Sequence, residues 1–131
     1  MNIDPKYIQE LGELILRCED VVETESWDGL AFVFDVGDGH MANSGFMYVG
    51  DKVIPASAEV ESDIMVLDNK ILEFREAIRQ ACGHEFVQLL IQMTSAGKIH
   101  IDFEFNDRER WNMGPANYRA MRENLRPSLD N

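Results

Sequence analysis

The stretch VQLLIQMTSAGKIHIDFEF, residues 87–105, decides the fold that we predict for this chain. Apolar side chains occupy every second position on both sides of a turn at Ser95, Ala96 and Gly97, namely Val87, Leu89, Ile91, Met93, Ile99, Ile101, Phe103 and Phe105. Alternation with a period of two places such side chains on one face of a strand. We therefore predict a hairpin of antiparallel strands, residues 87–94 and 98–105, that covers one core.

Two more strands are predicted earlier in the chain. An almost continuous apolar run at residues 30–36 is followed by the turn-forming Gly37, Asp38 and Gly39, and then by a second apolar run at residues 46–49. Such a pattern is typical of two antiparallel strands joined by a turn. Residues 51–63 are open between a further short strand and an irregular loop, because Pro55 interrupts them.

Three segments have the three-and-four spacing of amphipathic helices. The first, residues 5–21, begins at Asp4 and Pro5 and has one apolar face, formed by Ile8, Leu11, Leu14, Ile15, Cys18 and Val22. The second covers residues 64–82 and ends before Gly83. The third opens at Pro115, carries Tyr118, Met121 and Leu125, and stops at Pro127.

These elements predict an α+β fold, an antiparallel β-sheet with amphipathic helices packed on it, in the order α-β-β-(β)-α-β-β-α. The length of 131 residues and a hydrophobic content of 45% fit a single domain, residues 1–131, with one core. No apolar run is long enough to span a membrane, and the N-terminus lacks the pattern of a signal peptide. We expect a soluble, cytoplasmic protein.

The negative charge is concentrated in the first half of the chain. Residues 1–68 contain 15 acidic and 3 basic residues, a net charge of -12, whereas residues 69–131 contain 9 of each. Between Glu19 and Asp68 there are 12 acidic residues and a single base, Lys52. Clustered charge of one sign repels itself, and the usual compensation is steered association with a partner of opposite charge. The alternative is that these carboxylates scatter over the folded surface.

We predict a basic or neutral partner, and neither nucleic acid nor a membrane, because both of these carry negative charge. The predicted partner-binding residues are carboxylates and one indole: Glu19, Asp20, Glu23, Glu25, Trp27, Asp28, Asp35, Asp38, Glu59 and Glu61. Trp27, Phe46 and Tyr48 are the candidate apolar anchors if they are exposed, and Trp111 is either a core plug or an anchor. Reversing Asp35 and Asp38 to lysine is predicted to slow association at low salt.

Catalytic and metal-binding motifs are absent from the sequence, so we predict no catalytic residue, metal or cofactor. His100, Asp102 and Glu104 alternate along one strand and could therefore be ligands of a metal ion. Successive members of this set are about 7 Å apart along the strand, which is long for ligands of one ion. A solvated or partner-facing surface explains them better. Asp35, Asp38 and His40 share one loop, which a polar turn explains equally well. Cys18 and Cys82 are predicted to be buried free thiols.

The run from Gly97 to Phe105, followed by Asp107 and the pair Arg110-Trp111, resembles the YezG-like family of bacterial immunity proteins and antitoxins. It is similar to the family's G-K-x-x-x-D-F-x-[FY] hairpin with a following aspartate and an R-W pair, and it covers about the last 45 residues. The resemblance implies a non-catalytic protein that neutralises a secreted toxin, in some cases a nuclease, by direct binding.

The leading hypothesis is therefore an immunity protein that occludes a basic toxin domain, in the leading case a nuclease whose nucleic-acid groove the carboxylates of residues 19–68 would mimic. One alternative is a small metal-dependent or acid/base enzyme that uses His40 with Asp35 or Asp38. Another is an adaptor subunit that self-associates through an apolar patch. The sequence does not distinguish between a monomer and a homodimer.

Overall fold

In a computed structural model, which describes residues 3–37, 39–60, 64–112, 114 and 116–128, five antiparallel strands form one sheet in the order β3-β2-β1-β4-β5. The strands are β1 (Gly29–Gly37), β2 (His40–Val49), β3 (Lys52–Ala56), β4 (Gln88–Thr94) and β5 (Ile99–Glu104). The helices are α1 (Pro5–Leu16), α2 (Glu19–Glu23), α3 (Ile64–Cys82) and α4 (Tyr118–Asn124). The predicted α+β class is confirmed, and β3 fills part of the segment that the sequence left open.

The central strand β1 is buried on both faces of the sheet. Phe32 and Phe34 lie in the core under α1 and α3, whereas Ala31 and Val33 face a second core on the other side. A strand with both faces covered needs apolar residues at successive positions rather than at alternate ones. This explains why residues 30–34 form a continuous apolar run.

The predicted hairpin of residues 87–105 forms as β4 and β5. Leu89 lies opposite Phe103, and Ile91 lies opposite Ile101, on the face covered by α1 and α3. The turn between the strands contains Gly97 with a φ of 95°, a backbone conformation that glycine adopts without strain. The hairpin and the core that it covers are therefore as predicted.

The second face of the sheet is covered by the C-terminal segment, including α4. The sheet and this segment together form a second core, whose buried side chains are Ala31, Val33, Phe46, Tyr48, Leu90, Trp111 and Leu125. Trp111 is only 6% exposed, and its backbone N–H donates to Gln88 Oε1 at 3.1 Å. Of the two roles open for Trp111, core plug and anchor, it has the first.

Close packing of β2 against β1 depends on Gly45. A Cβ at this position would lie 2.1 Å from the carbonyl oxygen of Ala31 and 2.6 Å from the ring of Phe32. Phe32 lies opposite Gly45 in the strand register, so its ring occupies the space that the glycine leaves. Glycine in a strand often marks such a close approach.

The first predicted helix is wrong in one respect, because it breaks after α1. Asp4 caps α1 by accepting from the Lys6 N–H at 3.0 Å, as the Asp-Pro start predicts, but Cys18 adopts an extended conformation and forms a β-bridge with Val60. The chain then resumes as the short helix α2. This break shifts the helical phase, so Val21 is buried and Val22 is exposed.

The second predicted helix coincides with α3, which ends before Gly83 with a φ of 84°. α4 is shorter than predicted, and Pro115, proposed as its start, lies outside the described residues.

Both cysteines are free thiols, but Cys82 is half-buried rather than buried. Within the described ranges no helix has the length and apolar character needed to cross a membrane.

Candidate functional site

The acidic residues of α2 lie beside a strap, residues 57–60, that runs along the start of this helix. The Glu19 N–H donates to the Glu59 carbonyl at 2.9 Å, and Cys18 pairs with Val60. The Ser57 N–H donates to the Asp20 carboxylate at 2.8 Å. Residues 40 positions apart in sequence are thereby brought together at one place on the surface.

Electrostatic effects on Cys18 are consistent with this proximity. Burial, together with the negative charges of Asp20 and Glu59, raises the pKa of the Cys18 thiol to about 12. A thiol with so high a pKa stays protonated at neutral pH. Cys18 is therefore a packing residue next to the acidic strap.

Three of the predicted partner-binding carboxylates have internal hydrogen-bonding roles. Besides the bond from Ser57 to Asp20, the Gly50 N–H donates to Asp28 Oδ2 at 2.6 Å, and Gln88 Nε2 donates to Asp35 Oδ1 at 2.8 Å. Gln88 in turn accepts from the Trp111 N–H, so Asp35 belongs to the network under the C-terminal segment. Asp35 thus lies on the sheet face opposite α1 and α3.

The structure therefore brings together only part of the predicted surface. Glu19, Glu23, Glu25 and Glu59 are exposed on α2, the turn after it and the strap, and we call them, with Val22, the α2 patch. Asp28 and Asp35 lie elsewhere. Two more predicted residues, Asp38 and Glu61, fall outside the described residues.

Three carboxylates of the α2 patch are not among those that form salt bridges within the described residues. The salt bridges of the described chain involve the carboxylates Glu10, Glu73, Glu76, Glu85, Asp102, Glu104 and Glu123. Glu23, Glu25 and Glu59 form no salt bridge with any residue that the structure describes. These three negative charges are therefore not neutralised by ion pairs among the described residues.

The predicted apolar anchors are wrong for two of three residues. Phe46 and Tyr48 are 0% and 1% exposed, because α4 and the segment before it cover that face of the sheet. Trp27 is half-buried and packs against the core under α1 and α3. Sequence reasoning missed Val22, which is 67% exposed in the middle of the acidic helix, because the three-and-four pattern placed it on the core face.

The outer face of β5 is held by an arginine. Arg110 contacts the Asp102 and Glu104 carboxylates at 3.3 and 3.2 Å, and its guanidinium lies 4.4 Å from the centre of the Trp111 ring. Arg110 also donates to the Phe103 carbonyl, while the Phe103 N–H donates to Asp102. No group of potential metal ligands occurs among the described residues. Asp102, Arg110 and Trp111, which carry the family resemblance, therefore stabilise this edge of the sheet.

A groove opens between α3 and the start of β2. One cavity of about 290 Å³ is lined by His40, Met41, Met65, Asp68 and Leu72, together with Gly37 and Gly39. A second of about 320 Å³ shares Met41, Met65 and Asp68 and continues to Asn43 and Glu59. We call the two together the α3 groove. The sequence placed Asp68 at the end of the acidic segment, residues 19–68, but did not predict it as an individual binding residue.

Asp68 is half-buried in the α3 groove beside a second carboxylate. Burial raises the pKa of Asp68, and the charge of Glu59 raises it further. An aspartate whose pKa rises on folding binds more protons in the folded state, so the free energy of unfolding falls as the pH rises through the interval between the two pKa values. Charged Asp68 therefore lowers stability at neutral pH.

We expect Asp68→Asn to unfold at a higher urea concentration than the wild type at pH 7, because the amide avoids both the burial penalty and the repulsion. The difference should shrink as the pH falls below the ordinary pKa of an aspartate. Glu76→Gln is the control on the same helix, since Arg79 lowers the pKa of Glu76 to about 2 and its loss should not stabilise. Equal urea midpoints for Asp68→Asn and wild type at pH 7 would contradict this account.

Comparison with known proteins gives no relative from which a function could be transferred. No protein-family model matches this chain, and no curated protein matches it. The similarity to YezG-like immunity proteins accordingly stays a prediction.

Proposed function

We propose that this chain is an immunity protein, an antitoxin that binds and neutralises a cognate bacterial toxin by steric and electrostatic occlusion of the toxin's active site. The observation that carries the proposal is the α2 patch, in which the exposed carboxylates of Glu23, Glu25 and Glu59 form no salt bridge with a described residue and Val22 is exposed on the same short helix as Glu23. Such a surface favours a basic partner. A nuclease fits best, since its groove must be basic to bind phosphates.

The patch contains both charged and apolar side chains, and these have different roles in protein interfaces. Charged residues at the rim steer association and set the partner's charge, whereas binding energy comes mainly from a few desolvated apolar side chains. Val22 is the candidate for the second role because it is 67% exposed between Asp20 and Glu23. Exposing a large aliphatic side chain on a short helix brings no benefit to the isolated fold.

The neighbouring gene supplies the direct test. If a large secreted protein with a variable C-terminal domain is encoded immediately upstream, that domain should arrest growth when expressed alone, and co-expression of this chain should restore growth. The purified pair should form a stoichiometric complex in size-exclusion chromatography. Growth arrest that persists despite full expression of this chain, with no complex in vitro, would refute the proposal.

A second candidate function is a small enzyme that uses His40, because the α3 groove provides a cavity beside this residue. The acidic partner of His40 would then be Asp68, which lines the same cavity, and not Asp35, whose carboxylate is bonded to Gln88. Elemental analysis that finds a stoichiometric metal, lost in His40→Ala, would favour this candidate over the first.

A further inference from the structure

The α3 groove combines an apolar lining with negative charge. α3 contributes Met65, Asp68 and Leu72 at a spacing of three and four, so all three lie on one stripe of the helix. Met65 and Leu72 are 52% and 45% exposed. Methionine side chains are flexible and polarisable, and they adapt readily to the shape of a bound group.

The wall opposite α3 is held rigidly in place. Asn43 Nδ2 donates to the Ala58 carbonyl at 3.2 Å, and the Ala58 N–H donates to Asn43 Oδ1 at 2.7 Å. A further bond from Ser57 to Asp20 holds the strap at its other side. A groove whose walls are fixed before binding loses little conformational entropy when it is filled.

Apart from His40, the described residues that line the groove include no basic side chain to balance its negative charge. Asp68 forms no hydrogen bond or salt bridge with any described residue, and it interacts unfavourably with Glu59 in the adjoining cavity. A positive group that enters the groove would stabilise this half-buried carboxylate. Each cavity is close to 300 Å³, the lower end of the range for small-ligand sites, so it suits a side chain better than a cofactor.

We propose that the α3 groove binds an arginine side chain of a partner protein, with its guanidinium between Asp68 and Glu59 and its aliphatic stem against Met41, Met65 and Leu72. Arginine fits better than lysine because a guanidinium is weakly hydrated and its planar donors suit two carboxylates. That the arginine belongs to a toxin rests on the proposed function. The groove would then be a second contact beside the α2 patch.

The test is a titration of the full-length ¹⁵N-labelled chain with the peptide acetyl-Leu-Arg-Leu-amide, followed by NMR. Backbone amide signals of residues 40–43, 57–59 and 65–72 should shift. Asp68→Asn should weaken binding about tenfold or more, since a hydrogen bond to a charged group is lost. Glu76→Gln, which removes one charge from α3 outside the groove, should bind as the wild type does.

Two results of the peptide titration, and one measurement of oligomeric state, would overturn the groove assignment. One is equal binding of the same peptide with citrulline in place of arginine, which keeps the shape but not the charge. The other is equal binding by Asp68→Asn, whose folding the urea measurement checks independently. A dimer in sedimentation that Asp68→Asn dissociates would also overturn it, because a second copy of the chain would then occupy the groove.

Measurements with the toxin distinguish a failure of this inference from a failure of the proposed function. If the wild type neutralises the toxin and Asp68→Asn binds it with unchanged affinity, the toxin does not use the groove, although the immunity function stands. If the arginine peptide binds as described but no toxin is neutralised, the immunity function fails and arginine recognition by the groove stands.

Discussion

Replacing Glu23 and Glu25 by lysine should slow association with the cognate toxin about tenfold to a hundredfold at low salt. The two substitutions change the charge of the α2 patch by four units. Neither carboxylate forms a salt bridge with a described residue, so the fold should lose little stability. Stopped-flow mixing with the toxin at several salt concentrations measures the rate.

The dependence on salt identifies the mechanism. Screening shortens the reach of exposed charges to about 8 Å at physiological ionic strength, so the wild-type rate should fall steeply with salt and the double variant should show little dependence. The matched control is reversal of Glu13 and Glu109, exposed carboxylates outside the patch that also form no salt bridge with a described residue, which changes the charge by the same amount. Equal slowing by both double variants would mean that net charge acts and that the α2 patch has no special role.

The position of Asp35 makes it unsuitable for the same experiment, although the sequence suggested it. Its carboxylate accepts from Gln88 in the network that holds Trp111. A lysine at this position would remove the acceptor from the buried Gln88 side chain. Any loss of binding in that variant would therefore report damage to the fold under the C-terminal segment.

Trp111→Ala should lower the free energy of unfolding by about 3–5 kcal/mol, a large fraction of the roughly 5–15 kcal/mol that stabilises a typical domain. The indole is 6% exposed and packs in the second core with Ala31, Val33 and Leu90. Its removal leaves a cavity and also takes away the ring over which Arg110 lies. Urea unfolding followed by far-ultraviolet circular dichroism measures the loss.

Trp111→Phe is the matched control, because it retains most of the apolar volume and should cost clearly less. Trp27 then reports tertiary structure by fluorescence in both variants. A loss below about 1 kcal/mol for Trp111→Ala would show that the C-terminal segment contributes little to the fold. In that case the C-terminal segment would cover Phe46 and Tyr48 only loosely, and these aromatic residues would again be candidate anchors.

Sequence patterns predicted the elements of this fold well where the pattern is local. The period of two at residues 87–105 predicted β4 and β5, and the three-and-four spacing before Gly83 predicted α3 with its observed ends. These periods follow from strand and helix geometry, so a single segment contains the information. The concentration of acidic residues between Glu19 and Asp68 is likewise a property of the sequence alone.

Only the tertiary structure decided which side chains reach the surface together. The bridge from Cys18 to Val60 breaks the first helix, buries Val21 and exposes Val22, and no periodicity within residues 5–22 could reveal a contact with residue 60. Asp35 is separated from the α2 patch because its side chain lies on the sheet face opposite α1 and α3. The α3 groove exists because β2 and the strap lie beside α3. Each of these outcomes depends on packing between segments distant in sequence, which a local pattern does not encode.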